Sequence, residues 1–187
     1  MKILSVIALI YVTFNVLPQV TYALPIVDQA FVPSPSAAYV GMVEATYATE
    51  TESAQTFTVG LTGQLTKVEV KVSRYASFTG PLGVFVVPTI GGVPDDTTVL
   101  GYSVFAGDTI STAWNNNDSN WLAVDLASFG ISVSSGDVLA IVLATDNPSL
   151  FFEGLYAWHG DSGNPYSGGN LFWTTNASPE LDCRIRC

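Results

Sequence analysis

The chain predicts an all-β fold, an antiparallel two-sheet β-sandwich of jelly-roll type with about nine strands. Three observations carry this. Helical periodicity is almost absent, short β-branched and aromatic runs recur every dozen or so residues, and clusters of Gly, Pro, Asn and Asp separate them.

The N-terminus is a separate element. Lys2 precedes an almost unbroken apolar run from Ile3 to Val16, and Thr21-Tyr22-Ala23 places small residues at the cleavage-determining positions of a secretory signal. A membrane anchor needs roughly 20 uninterrupted apolar residues, and Asn15, Pro18 and Gln19 break this run too early. Residues 1–23 therefore read as a leader cleaved after Ala23, and residues 24–187 as one secreted sandwich domain that does not insert into a membrane afterwards.

The strands follow in order. Residues 24–53 are irregular: Pro33 and Pro35 exclude a central strand, and Glu44 to Ser53 reads equally as a loop or a short strand. Gln55–Val59 is the first clear strand. In Leu65–Arg74, Val68, Val70 and Val72 face one way and Lys67, Glu69 and Lys71 the other, the pattern of a half-buried strand with a wet face. Gly83–Val87, Thr98–Phe105 and Trp121–Leu126 come next. Val138–Thr145 is apolar on both alternating sets, which predicts a central strand covered on two faces and launched by the turn Ser134-Ser135-Gly136-Asp137. Leu150–Trp158, Asn170–Thr174 and Leu181–Cys187 complete the set. Loops are expected at 91–96, 115–120 and 160–165.

The strand-and-turn strings Ala54-Gln55-Thr56-Phe57-Thr58-Val59-Gly60, Gly136-Asp137-Val138-Leu139-Ala140-Ile141-Val142-Leu143, Tyr156-Ala157-Trp158 and Tyr166-Ser167-Gly168-Gly169 resemble bacterial secreted domains found upstream of PEP-CTERM sorting tails. The resemblance spans most of residues 24–187 and implies an exported, jelly-roll-like domain. It does not extend to a Val-Pro-Glu-Pro tail, which is missing here, so the anchoring function does not carry over.

Charge narrows the function classes. The formal net charge is −10 and becomes one unit more negative once Lys2 leaves with the leader, a surface that repels nucleic acid and anionic lipid. The two cysteines, Cys183 and Cys187, fall on one face of the last strand, where four residues span ~13 Å, beyond disulfide reach unless the chain turns back.

No catalytic set is visible. The string Gly160-Asp161-Ser162-Gly163-Asn164-Pro165 is similar to one around the nucleophile of chymotrypsin-like proteases, but that chemistry needs a histidine from a distant segment. The only histidine, His159, stands three residues before the serine. Sixteen scattered acidic residues define no spaced carboxylate pair. Oxygen-rich turns at Asn117, Asp118 and Asp161 suit a structural calcium ion, although Asn and Asp are also ordinary turn formers. Asn117 and Asn176 begin glycosylation sequons.

The aromatic cluster Tyr156, Trp158, Tyr166, Phe172 and Trp173 lies near two Gly-rich loops. Exposed rings would stack on sugars while Asp161 and Asn164 bond hydroxyls; buried, the same rings would fill the core. Period two puts Tyr156 and Trp158 on one face, so both rings share either fate. The expected function is a non-catalytic extracellular binding or adhesion module for a carbohydrate or cell-surface component. The alternative is a self-associating structural subunit of an extracellular matrix or filament.

Overall fold

In the computed structural model the described residues are 24–33, 39–45, 50–75, 78–95, 97–113, 120–145, 154–160 and 166–175. They form twelve strands, joined by turns and short 3-10 segments, with no α-helix among them. The strands are β1 (Tyr39–Ala45), β2 (Glu50–Thr58), β3 (Gly63–Leu65), β4 (Lys67–Arg74), β5 (Leu82–Ile90), β6 (Val93–Pro94), β7 (Gly101–Phe105), β8 (Trp121–Asp125), β9 (Ile131–Val133), β10 (Val138–Thr145), β11 (Gly154–His159) and β12 (Leu171–Thr175). All pairings are antiparallel.

Ten strands form one curled sheet in the order β6-β5-β10-β2-β1-β11-β4-β8, with β12 added on β2 and β7 on β5; β3 and β9 pair separately. Curling brings its two ends face to face over one core. Val68, Val70 and Val72 of β4, Val124 of β8 and Tyr156 and Trp158 of β11 join Leu82, Val84 and Val86 of β5 and Leu139 and Leu143 of β10 in one buried cluster. The other face of β2, β5 and β10 buries Ala54, Phe85, Val87, Ala140, Val142 and Ala144. Thus β10 is buried on both alternating sets, as its unbroken apolar run predicts.

Glycine-dependent turn chemistry shapes two connections. Gly91 and Gly92 have φ of 61° and 84°, the left-handed pair that closes a two-residue hairpin between Ile90 and Val93. Gly136 has φ of 95° in the turn before β10, where the Asp137 carboxylate accepts from the Ser134 backbone N–H at 2.8 Å.

Three sequence expectations change. The first concerns the irregular N-terminal part: β1 is a strand, and β2 begins at Glu50 rather than Gln55, because pairing with β1 and β12 outweighs the weak strand propensity of Glu-Thr-Glu-Ser. The second is the strand expected over Leu65–Arg74, which divides at Thr66; its carbonyl accepts from the Leu126 N–H at 2.8 Å while Leu65 pairs with Ile131. The third is the wet face of β4, which ends at Glu69. Lys67 and Glu69 are exposed and paired at 3.0 Å, but Lys71 and Ser73 are buried at 4% and 0% exposure. The expected strand Leu181–Cys187, with both cysteines, lies outside the described residues, as do residues 150–153 of Leu150–Trp158.

Candidate functional site

Strand β11 hydrogen-bonds to β1 on one side and β4 on the other, and Tyr156, Ala157, Trp158 and His159 are all buried, so both its faces are covered. Tyr156 and Trp158 share a face, as expected, and that face is inward: they are 0% and 8% exposed. This corrects their assignment as ligand-stacking candidates. Tyr156 meets Phe78 edge-on at 5.2 Å and 72°, and its hydroxyl donates to the Gly80 carbonyl. Gly107 closes over the same spot, where a Cβ would lie 2.3 Å from the Gly80 oxygen and 2.6 Å from the Tyr156 hydroxyl. Burial, aided by Asp108 and opposed by Arg74, holds the phenol protonated far above its ordinary range. Arg74 ties the surrounding loops down, donating to the carbonyls of Phe78 at 2.8 Å and Ile110 at 3.3 Å.

Across the sheet from these rings lies a buried polar group that sequence reasoning did not assemble. His159 Nε2 is 2.8 Å from Ser73 Oγ and 3.4 Å from Asn120 Nδ2, and all three residues are at most 6% exposed. Asn120 Nδ2 also donates to the Ala113 carbonyl at 2.6 Å, which identifies that atom as the amide nitrogen. Nε2 thus sits between the Ser73 hydroxyl, which can donate or accept, and the Asn120 amide nitrogen, a donor. Desolvation first, and the Lys71 charge second, push the His159 pKa below its usual value. The Lys71 ammonium lies 5.4 Å from the centroid of Trp121, its partner residue across β4 and β8.

A serine hydroxyl on a neutral imidazole is the contact used in nucleophilic catalysis, but a nucleophile must reach its substrate and Ser73 has no exposed surface. The group acts as a polar clasp between β4, β11 and the segment entering β8. Its legible signal was period two: Lys71, Ser73 and His159 all fall on the faces opposite the core-facing valines and rings.

The remaining site candidates are distributed over the surface. Trp173 on β12 is 62% exposed. Tyr166 is half-buried, and its hydroxyl donates to Gln29 Oε1 at 3.3 Å. The connection between them is fastened to β2. Thr58 Oγ1 donates to the Gly168 carbonyl at 2.8 Å, Asn170 N donates to Thr56 Oγ1 at 2.8 Å, and a Cβ on Gly169 would lie 1.7 Å from the Thr56 oxygen. The segment 24–33 is held at the same end of β2, where Asp28 Oδ2 accepts from Gly60 N at 2.8 Å. The structure therefore separates the five clustered aromatics, with Tyr156 and Trp158 in the main core, Phe172 against the second apolar cluster, and Tyr166 and Trp173 at the surface.

Asp161, Asn164, Asn117, Asp118 and Ser162 lie outside the described residues. Among the described residues, no group of three or more His, Cys, Asp or Glu side chains could hold a metal ion. Comparison of the chain with family models, curated proteins and solved structures finds no match.

Proposed function

We propose that this chain is a secreted, non-catalytic binding or adhesion module for a carbohydrate or cell-surface component, its curled sheet being a jelly-roll-like two-sheet sandwich. The observation supporting the reading is Trp173, an indole left 62% exposed on a strand that, among the described residues, pairs with β2 alone. Burying a large side chain is worth about 1.5–3 kcal/mol, so an exposed indole forgoes stabilisation and offers a flat face for stacking. Asn170, exposed at the start of the same strand, adds an amide that can bond to hydroxyls. The apolar leader-like segment and the acidic surface support export and argue against nucleic acid as partner.

The test is a glycan array probed with the wild-type protein and with Trp173→Ala. The reading expects wild-type binding to a restricted set of sugars and its loss in the variant. Binding by both proteins alike would remove Trp173 from the site, and no wild-type binding to glycans or cell surfaces would remove the function.

A further inference from the structure

We infer that the sugar taken by Trp173 is electrically neutral, and that Gln55 is the site's second binding residue, its amide bonding sugar hydroxyls beside the indole. This inference rests on the carbohydrate reading and adds to it a residue and a ligand charge.

Trp173 stands on the core-facing side of its sheet. It pairs with Ser53, Ser53 with Leu143 and Leu143 with Val84, and residues directly opposite in an antiparallel ladder share a face. Along this row exposure runs from 0% at Val84 and Leu143 through 1% at Ser53 to 62% at Trp173. The covering layer therefore ends between β2 and β12, and the indole lies just beyond the rim of the core.

The neighbouring row opens earlier. Val86 is buried, but Ile141, Gln55 and Leu171, which follow it by register on the same face, are all partly exposed. Leu171 is two residues from Trp173 and directly opposite Gln55, so an indole, an aliphatic side chain and an amide share one strip of the sheet. Diagonal neighbours across a ladder lie ~7–8 Å apart, a gap that a sugar ring stacked on the indole can bridge with its hydroxyls. The Gln55 amide is held for that contact, since its Nε2 donates to the Thr56 carbonyl at 2.9 Å. A second N–H and the carbonyl oxygen give a ligand one donor and one acceptor.

The strip carries no charge at these positions. Glu52 alternates to the opposite face of β2, the face of Ala54 and Phe172. The described cations all stand on β4 and are engaged there: Lys67 pairs with Glu69, Lys71 lies over Trp121, and Arg74 donates to the carbonyls of Phe78 and Ile110. A carboxylated or sulfated sugar would bring its charge to a molecule of net charge −10 with no described cation beside it. A neutral sugar stacks and bonds without that repulsion.

Isothermal titration with neutral gluco-, manno- and galacto-oligosaccharides and with oligogalacturonate, each in low and high salt, tests both parts. Wild type is expected to bind a neutral oligomer with an affinity that salt leaves unchanged, and oligogalacturonate more weakly. Gln55→Ala should weaken the neutral complex by about tenfold, the upper range for one hydrogen bond. A preference for oligogalacturonate overturns the neutral site and leaves Trp173 as a sugar platform. Undiminished binding by Gln55→Ala overturns the role of Gln55, and a wild type that binds no sugar removes the carbohydrate reading and this inference with it.

A second measurement needs no variant. In the NMR spectrum of the wild type, saturating neutral oligosaccharide should shift the Gln55 side-chain amide, the Leu171 backbone amide and the Trp173 indole N–H, and leave Ser134, on the exposed turn before β10, in place. Shifts at Trp173 without any at Gln55 and Leu171 contradict the proposed strip.

Discussion

Strands β11 and β12 each bring two aromatic rings to the sheet, and the rings meet different fates. The rings alternate with smaller residues in β11 and stand side by side in β12, and each strand follows a Gly-rich or polar connection. In β11, hydrogen-bonded on both sides, Tyr156 and Trp158 disappear into the core and His159 into a polar clasp behind it. In β12, whose partner among the described residues is β2, Trp173 stays in solvent. Period two says which side chains share a face, but what packs against that face decides whether it is dry: on β12 itself Phe172 packs on the second apolar cluster while Trp173, on the opposite face, is exposed. The comparison assigns the β11 rings to stability and leaves Trp173 as the exposed ring on which the proposed binding rests.

The largest effect that could break this comparison is at Tyr156. Tyr156→Ala should cost about 3–5 kcal/mol, since a fully buried ring leaves a cavity among Phe78, Gly80 and Gly107. Chemical denaturation measures it, and a loss below about 1 kcal/mol would mean the ring is not packed as described.

Tyr156→Phe sharpens the point. The ring remains while the hydroxyl that donates to the Gly80 carbonyl is lost, so the expected cost is about 1–2 kcal/mol. A neutral or stabilising outcome would show that this hydrogen bond does not hold the loop in place.

The clasp behind β11 has a pH signature. Folding depresses the His159 pKa, so the folded protein rejects a proton that the unfolded chain accepts near pH 6.5. Its contribution to stability is complete above that pH and is lost as pH falls toward the lower folded value. Because His159 is the only histidine, subtracting the pH–stability profile of His159→Gln from that of wild type isolates the effect from the carboxylates. A difference that stays constant from pH 7 to pH 5 would contradict a neutral, buried imidazole.

The comparison also shows what could be read without coordinates. The alternation Val68, Val70, Val72 and the double apolar pattern of β10 were legible because a strand's own sequence records which faces are dry. Gly136 was legible because few residues accept its backbone angle. The burial of Lys71 and Ser73 was not, since it depends on Trp121 and Asn120, which lie some fifty residues away and reach β4 only through the pairing with β8. Strand β1 was hidden for the same reason, as its partners come mostly from β11 near the other end of the chain. The exposure of Tyr102 and Val104 on β7 was half legible: they fall on one face by period two, but the sequence of β7 alone does not say whether that face is covered.

The central claim, that an aromatic side chain is buried only where other structure covers its face of the sheet, is tested most directly by melting Trp158→Ala and Trp173→Ala side by side with wild type. Trp158, 8% exposed and paired across from Val72, should lose about 3–5 kcal/mol on truncation, and Trp173, 62% exposed, should change by no more than about 0.5 kcal/mol. Equal losses at the two positions, or a tolerant Trp158 beside a sensitive Trp173, would contradict the account.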